Sequence, residues 1–402
     1  MKMMMKLLML MPSLFCAAAL AGPLQDDLDF IRQTLASEHP DIGFSSDAQA
    51  VDAALDGIAA AAPTDTLSRD EAWRRLSTLN PLFADAHLFI GYADWRGDTT
   101  SHLQAGGKLF PFEVTIDGDR KLLIRAALGG EPTELAGARI IAINGMPADA
   151  TITEVLNRAH GDTPLFRSHL ASQRWWLYQW KLHGAAATHY QLTLSRDGRT
   201  WQVDVPASTH TPAILRAGDA PFDFTIRPDG TATLKVGSFD YSLKQRFLDL
   251  TQAAFAQLRQ QRIEKLTIDI SENGGGDDEM WLDGLMPYLA DKPYRTGSTY
   301  TKKNATGEIQ TWRQPQTDKL YSGKVDILIG PATYSSAILF ANVMRDFGFG
   351  TLIGEGNAAR RTQSGGIRKF TLPRSGLVLW VPRFILDPPS GGARRDALLS
   401  PR

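Results

Sequence analysis

Apolar residues near the N-terminus recur every three to four positions, which is the spacing of a helix that buries one face. The first predicted helix has a single apolar face formed by Leu24, Leu28, Ile31 and Leu35. A second, alanine-rich helix is predicted over residues 47–61. Ser68, with Glu71 three residues later, forms a capping box that predicts the start of a third helix. We therefore expect residues 22–100 to form an N-terminal helical domain.

From about Lys108 the apolar spacing shifts towards two, which predicts β-strands such as "FEVTI" and "KLLIRA". A hairpin that turns at Asp197-Gly198 closes this region, after a helix over 150–159 and a long insertion rich in Trp and His. The segment "AGARIIAINGMPADATITEVLNRA" resembles the run of strand, turn and helix found in PDZ domains. The resemblance implies a β-rich, PDZ-like domain over residues 106–210.

Short apolar strands alternate with helical segments over residues 216–402. A helix is predicted over 243–260, and the buried strands are "KLTIDI", "KVDILIG" and "GTLIGE". This alternation predicts a largely parallel sheet with helices on its faces. A final hairpin is predicted in "IRKFTLPRSGLVLWVP", with its turn at Ser375-Gly376. Together the three regions indicate a multidomain fold of α+β and α/β type.

The charge of the chain is nearly balanced, with 43 basic and 44 acidic residues. No basic cluster is present that would attract a nucleic acid or an anionic membrane. A composition of 43% hydrophobic and 22% charged residues is that of a globular protein. We therefore expect a small molecule or a polypeptide as the partner, and no nucleic acid.

The first 21 residues have the pattern of a secretory signal peptide. Lys2 and Lys6 precede an apolar stretch, and Ala19-Leu20-Ala21 offers a small-x-small cleavage site. The alternative is a membrane anchor, but the stretch is shorter than the ~20 residues of a span. Cleavage predicts a periplasmic or secreted protein with no membrane contact. It also removes Cys16, the only cysteine, and with it any thiolate nucleophile or disulfide.

In proteins with a parallel sheet, active-site residues usually lie at the carboxyl ends of the strands. The first such end is "TIDISENGGGDDEMW", where absent side chains let backbone N–H groups approach a ligand or an oxyanion. No Gly-Lys-Ser/Thr follows, so this is not a phosphate loop. Its three acidic residues, 277–279, could suggest a metal ion, but they suit the first turn of a helix better, where the helix dipole favours negative charge. No metal or other cofactor is expected.

The second strand end carries two adjacent serines, Ser335 and Ser336, where "ILIGPATYSS" gives way to an amphipathic helix. The free N–H groups of a helix N-terminus stabilise negative charge on an attacking serine oxygen. The alternative is ordinary N-capping, which serines perform routinely. The residues of this segment alone favour capping.

The two strand ends together, with their flanks, resemble the C-terminal processing (tail-specific) serine peptidase family. The resemblance covers roughly residues 231–385 and is carried by "LTIDISENGGG", "TYSSAILFANVMRDFGFGTLIGE" and "FTLPRSGLVLWVP". It implies a crotonase/ClpP-like core of ββα units. It also implies that Ser335 is the nucleophile, and that the N–H of Ser336 with one from Gly274 or Gly275 forms the oxyanion hole.

The base that the resemblance implies differs between two branches of the family. The serine/lysine branch places a lysine where this chain has Arg360, which cannot accept a proton, and Lys369 has the wrong spacing. The tricorn-like serine/histidine branch resembles "LFADAHLFIGY", in which His87 matches the family histidine. That branch also supplies a glutamate near the C-terminus. This chain has none there, so Asp396 or Asp387 is the candidate for orienting His87.

We therefore expect an exported serine peptidase that cleaves polypeptides with Ser335 and His87. A homo-oligomer is possible. Arg360, the altered residues around His87 and the missing glutamate motivate an alternative, an inactive peptide- or lipid-binding protein of the same fold. An esterase using the same serine is a third hypothesis. A metalloenzyme is disfavoured because no His, Asp and Glu residues have the spacing of metal ligands.

Overall fold

The computed structural model describes residues 24–61, 67–184, 187–216, 221–316, 318 and 320–401. The predicted leader, residues 1–21 with Cys16, lies outside them. No helix within these ranges is long and apolar enough to cross a membrane. The described residues form several helices and four β-sheets, so the predicted multidomain fold of mixed α+β and α/β type is confirmed.

Short helices form the N-terminal region, with α3 beginning at the predicted capping box. The hydroxyl of Ser68 accepts from the backbone N–H of Glu71, and the Glu71 carboxylate accepts from the N–H of Ser68. The buried side chains of Leu28, Ile31 and Leu35 confirm the apolar face of the first helix. The elements of this region are α1 (Gln25–Glu38), α2 (Ala48–Ala60), α3 (Arg69–Leu76), α4 (Asn80–Phe83), β1 (Phe89–Gly91) and α5 (Trp95–Gln104).

A six-stranded antiparallel sheet follows, in the order β2-β3-β4-β6-β7 with β5 paired to β4. Its strands are β2 (Phe112–Ile116), β3 (Leu122–Ala127), β4 (Arg139–Ile143), β5 (Met146–Pro147), β6 (His189–Arg196) and β7 (Arg199–Pro206). The predicted hairpin turn joins β6 and β7, with positive φ at both Asp197 and Gly198. Three helices separate β5 from β6, namely α6 (Ala148–Leu156), α7 (Pro164–Gln173) and α8 (Trp175–His183). The insertion rich in Trp and His is thus helical.

The third region contains the predicted parallel sheet, in the order β14-β13-β10-β9-β8. Strands β9, β10, β13 and β14 run parallel, and β8 pairs antiparallel with β9 at one edge. The elements are β8 (Phe222–Ile226), β9 (Thr231–Val236), α9 (Lys244–Gln260), β10 (Lys265–Asp269), α10 (Asp278–Gly284), α11 (Met286–Leu289), β11 (Thr299–Lys302), β12 (Ala305–Glu308), β13 (Lys324–Ile329), α12 (Ser336–Phe347) and β14 (Thr351–Gly354). The carboxyl ends of β10 and β13 therefore meet at one edge.

The last strands join the C-terminal region to the N-terminal one. They are β15 (Gln363–Gly365), β16 (Arg368–Thr371), β17 (Val378–Val381) and β18 (Phe384–Leu386). Strand β18 pairs with β11 and β15, whereas the predicted hairpin β16–β17 pairs with β1 through Ile90 and Leu379. Apolar side chains of the hairpin share a core with the helical region, so the hairpin packs outside the unit expected for residues 216–402. This crossing brings the segment before β1 up to the end of the parallel sheet.

Candidate active site

Ser335 lies at a sharp turn between β13 and α12. The preceding loop is held by Thr333, whose hydroxyl accepts from the N–H of Gly330 and donates to the carbonyl of Ile270 on the neighbouring strand end. The backbone of Ser335 has φ 54° and ψ −126°. A serine in this sparsely populated region is strained, and such strain is maintained at sites where it positions a functional group. The Ser335 N–H donates to Oε1 of Gln363 at 3.0 Å, which holds the turn.

The structure separates the two adjacent serines. The hydroxyl of Ser336 donates to Asp278 at 2.5 Å and accepts from the Trp281 indole at 3.0 Å, with only 2% of the residue exposed. The Ser335 side chain makes no capping hydrogen bond and faces a cleft of about 530 Å³. Ser336 thus has a structural role through its side chain, and Ser335 has its hydroxyl available for chemistry.

The glycine loop after β10 packs directly against Ser335. Gly275 has φ +101°, and a Cβ there would lie 2.6 Å from the Ser335 Cβ and 2.9 Å from the Tyr334 carbonyl oxygen. Buried Asn273 fixes the loop, because its Nδ2 donates to the carbonyl of Val236 and its Oδ1 accepts from the Gly275 N–H at 2.8 Å. Only a residue without a side chain fits between this loop and the serine turn.

Backbone N–H groups beside Ser335 differ in their hydrogen bonding. The N–H of Gly275 is already bonded to Asn273, so it is not available to an oxyanion in this conformation. Within the described residues, the N–H groups of Gly274 and Ser336 have no hydrogen-bond partner. Of the two glycines expected from the sequence, the free donor is Gly274.

His87 reaches the same cleft from the N-terminal region. Helix α4 ends at Phe83, the chain turns through Ala84 with φ 46°, and β1 begins at Phe89. Pairing of β1 with β17 holds this turn against the C-terminal region. Both His87 and Ser335 line the cleft, although no hydrogen bond joins their side chains. Hydrogen bonds between catalytic groups are often long in the absence of substrate.

The imidazole of His87 is held by Ser364 and Asp85. Its Nδ1 lies 3.0 Å from the Ser364 hydroxyl oxygen, and that hydroxyl donates to Oδ1 of Asp85 at 2.9 Å. Because the serine proton is given to the carboxylate, the serine oxygen accepts from Nδ1–H. This leaves Nε2 as the unprotonated ring nitrogen. Burial lowers the pKa of His87 to about 4, so the ring is neutral at neutral pH.

A buried polar cluster packs against the His87 turn and the Ser335 turn. The hydroxyl of Tyr334 donates to Asp162 at 2.7 Å, and its ring packs 4.9 Å from the His87 ring. Burial raises the pKa of both Asp85 and Asp162, while the nearby Arg360 guanidinium opposes that rise. The cluster links the histidine turn, the serine turn and the segment after β14.

Arg360, at the position of the lysine in the other branch, belongs to that cluster. Its guanidinium donates to the Ala84 carbonyl oxygen at 2.6 Å and lies 3.6 Å from an Asp162 oxygen. It therefore ties the histidine turn to the core. Lys369 is exposed in β16, with its Nζ 4.2 Å from the Trp380 ring, so it does not replace the missing lysine.

Neither aspartate expected to orient the histidine contacts it. The buried carboxylate of Asp387 accepts from Thr299, Thr362 and Arg395. Asp396 is exposed and makes no polar contact with His87. Asp85 lies nearer: its carboxylate accepts from the backbone N–H of His87 at 2.8 Å, and its Oδ1 is 4.0 Å from the imidazole Nδ1.

Several residues in the cleft or packed behind it carry no recognisable signal in the sequence. Gln363 and Ser364 lie next to the position of the family lysine, in "RRTQSGG", where only Arg360 draws notice. His160 and His169, to which the sequence assigns no role, both line the cleft, as does Glu272. Within the described residues, no group of His, Asp and Glu side chains is arranged to hold a metal ion.

Comparison with known proteins matches part of the sequence to one peptidase family. Residues 230–392 match the model of peptidase family S41. No curated protein matches the sequence significantly.

Solved structures share the fold over most of the chain. The photosystem II D1 C-terminal processing protease is 15% identical, with a TM-score of 0.50, and the match covers 95% of this chain and 92% of that one. Mature CPAF complexed with lactacystin is 14% identical, with a TM-score of 0.64 and coverage of 91% and 90%. A CPAF mutant gives 13% identity, a TM-score of 0.69 and coverage of 94% and 92%.

Proposed function

We propose that this chain, whose residues 230–392 match the model of peptidase family S41, is a serine-type peptidase with Ser335 as its nucleophile and His87 as its general base. The observation that carries this proposal is the strained turn of Ser335 between Gly275 and Gln363, in a cleft that His87 also lines. A polypeptide is the substrate class that the family implies.

In the proposed reaction, the Ser335 oxygen attacks the scissile carbonyl carbon as Nε2 of His87 takes the hydroxyl proton. A neutral imidazole is required for that step, and burial supplies it. The resulting imidazolium then gives the proton to the leaving amine. Water attacks the acyl-enzyme in a second step, again with His87 as the base.

Ser364 and Asp85 are proposed to orient the imidazole. The hydrogen bonds from Nδ1–H to the Ser364 oxygen and from the Ser364 hydroxyl to Asp85 would stabilise the charged ring that forms during attack. A direct carboxylate contact is replaced by one through a hydroxyl, because Asp85 Oδ1 lies 4.0 Å from Nδ1.

The oxyanion is proposed to bind the N–H groups of Gly274 and Ser336. Both are free of protein hydrogen bonds among the described residues, and the Ser336 N–H also lies at the N-terminus of α12. Each donor of such a site is typically worth about 10²–10³ in rate. The Gly275 N–H would join only if Asn273 released it.

Export to the periplasm or outside the cell is part of the proposal, on the evidence of the leader-like residues 1–21. After cleavage the chain has no cysteine, and its net charge of −3 gives no reason to expect nucleic acid or membrane as a partner. The β-rich region of residues 106–210 is proposed to be PDZ-like. A homo-oligomer is compatible with the chain.

A fluorophosphonate probe tests whether Ser335 is activated. We expect covalent labelling at Ser335, located by mass spectrometry of the digested protein, since such probes react with serines that have a working base and oxyanion hole. Ser335→Ala and His87→Ala should each abolish both labelling and peptide hydrolysis.

Ser336→Ala is the matched control and should be labelled at Ser335, because its own hydroxyl bonds to Asp278. Hydrolysis that survives Ser335→Ala would refute the proposal. Absence of labelling in the wild-type protein would favour a binding protein of the same fold.

A further inference from the structure

A second cavity, of about 170 Å³, lies directly beside the cleft that holds Ser335. We call it the aromatic pocket, since its walls are mainly the rings of Trp73, Phe89, Tyr92, Trp95, Tyr178 and Trp380. His160 and Arg174 line both the aromatic pocket and the cleft. A group bound in the pocket would therefore be next to the site of peptide hydrolysis.

Arg174 lies between α7 and α8 and has no anionic partner in the part of the chain that the structure describes. No ion pair or side-chain hydrogen bond joins its guanidinium to any described residue, and its Nε is fully shielded from solvent. Its guanidinium carbon lies 4.8 Å from the centre of the Trp95 ring. Burial lowers the pKa of Arg174 to about 10, so it still carries its charge at neutral pH.

An uncompensated charge at a shielded position is costly, and native proteins usually pair it. Among the other polar groups of the pocket, the neutral indole N–H of Trp380 is also buried without a partner, whereas Arg158 and Asn80 have partners. Arg158 donates to the carbonyl oxygens of Arg74 and Glu154, and Asn80 bonds to the backbone of Ile90 and Arg158.

His160 stacks on Phe89, with ring centres 4.0 Å apart. Burial, reinforced by the nearby Arg174 and His87, holds its pKa well below the usual value. It is therefore neutral and offers no charge to a ligand. Arg174 is thus the charged group of the aromatic pocket that is left for a ligand.

We propose that the aromatic pocket is a substrate subsite that holds one bulky apolar side chain, and that Arg174 binds a carboxylate of the polypeptide beside it. A cavity of about 150 Å³ accepts a ring the size of benzene. A guanidinium binds a carboxylate through two parallel hydrogen bonds and retains its contact with an aromatic ring. This proposal rests on the proposed peptidase function, because the polypeptide bound in the pocket is taken to be the substrate that Ser335 cleaves.

The carboxylate can come from an Asp or Glu side chain or from the C-terminus of the polypeptide. Four labelled peptides separate these sources: each has one phenylalanine followed by glutamate or glutamine, and each ends in a free acid or an amide. Binding is measured by fluorescence anisotropy to the Ser335→Ala protein, so that the result does not depend on turnover.

We expect at least one carboxylate to tighten binding about tenfold over the neutral peptide, which corresponds to 1.4 kcal/mol. The peptide that binds most tightly shows whether the carboxylate comes from the glutamate side chain or from the C-terminus. In the Ser335→Ala background, Arg174→Gln should remove the preference, and Arg174→Lys should retain part of it.

Arg227→Gln, at an exposed position far along the chain, is the control and should leave the preference intact. Thermal unfolding checks folding: Tm of the Arg174→Gln protein should be no lower than that of its parent, since a half-buried charge without an anionic partner among the described residues is removed. Equal binding of all four peptides, or a preference that survives Arg174→Gln, would overturn the proposal.

The two proposals fail separately. If the wild-type protein neither reacts with the fluorophosphonate probe nor cleaves peptides, but the carboxylate preference depends on Arg174, the peptidase mechanism is refuted and the subsite stands. If Ser335 is labelled but no peptide shows a preference, the subsite is refuted and the mechanism stands.

Discussion

Which of Ser335 and Ser336 can act as a nucleophile depends on where each hydroxyl points. The sequence of two adjacent serines does not contain that information. In the structure, Ser336 is bonded to Asp278 and Trp281 inside the fold. Ser335 stays in the cleft because its backbone adopts a positive φ, and Gln363 and Gly275 hold it there. The availability of a serine hydroxyl in this site thus depends on backbone geometry as much as on the type of side chain.

Gly275→Ala tests this geometry. An added Cβ would be 2.6 Å from the Ser335 Cβ, and the positive φ of Gly275 adds strain. We expect hydrolysis and probe labelling to fall by at least about 10²-fold, as when an oxyanion donor is lost. The measurement is kcat/KM for a peptide together with the rate of fluorophosphonate labelling.

Gly274→Ala provides a neighbouring control, since a Cβ at Gly274 meets no atom within 4 Å and the backbone N–H remains. This variant should keep most of the activity. Equal losses from the two substitutions would contradict the close packing of Gly275 against the serine turn.

Strand β15 supports both halves of the candidate site. Gln363 holds the backbone of Ser335, and the next residue, Ser364, bonds to His87 and Asp85. Successive side chains of a strand point to opposite sides, so one short strand between two turns can contact both. Pairing with β18 fixes β15 in turn.

Ser364→Ala tests whether β15 positions the base. Removing the hydroxyl takes away the partner of Nδ1, and we expect kcat to fall about 10–100-fold, a part of what general base catalysis contributes. KM should change little, because Ser364 is buried behind the histidine. The wild-type profile of kcat/KM against pH should lose activity only well below pH 6.5, as the lowered pKa of His87 requires.

In Ser364→Ala the acid limb of this profile should shift, and Ser364→Thr, which keeps the hydroxyl, should restore most of the rate. A purely structural role would leave the acid limb in place while reducing the amount of folded protein. An unchanged rate in Ser364→Ala would contradict the orienting role.

At the scale of the whole molecule, the described residues pack around two hydrophobic cores. One lies around the N-terminal helices and the six-stranded sheet, and the other around the parallel sheet. The hairpin β16–β17 and the cluster of Asp85, Asp162 and Arg360 connect them. The cleft lies at this junction, so its geometry depends on the stability of the whole fold.

Acid should destabilise the molecule through its buried neutral histidines. Burial lowers the pKa of His39 to about 4, and nearby Lys303 adds to this. Between pH 6.5 and 4 the unfolded chain binds a proton at His39 that the folded chain does not. This part of the stability is complete above pH 6.5 and is lost as pH falls towards 4. The raised pKa values of Asp85 and Asp162 act in the opposite direction.

The His39→Asn variant removes the contribution of this one histidine to the pH dependence of stability. Asn can still accept the Asp41 N–H that His39 Nδ1 accepts. The free energy of unfolding in urea, measured at several values from pH 6.5 to 4.5, should depend less steeply on pH, by up to about 1.4 kcal/mol per pH unit. The exposed His189→Asn is the matched control, and identical slopes for wild type and His39→Asn would contradict the prediction.

The local pattern of the sequence determined the elements: the capping box at Ser68, the hairpin at Asp197-Gly198 and the alternation of strand and helix after residue 221 all appear as predicted. Ser335 and His87 were predicted from the resemblance to a peptidase family and not from the local pattern. Only the tertiary structure decided which acid faces His87, because Asp85 and Ser364 are 279 positions apart and meet through the crossing of β17 to β1. It also showed that Arg360 is tied to Asp162 and Ala84, whereas Arg174 is left without an anion. Partners of buried charges are set by packing between distant segments, and residue spacing carries no record of that packing.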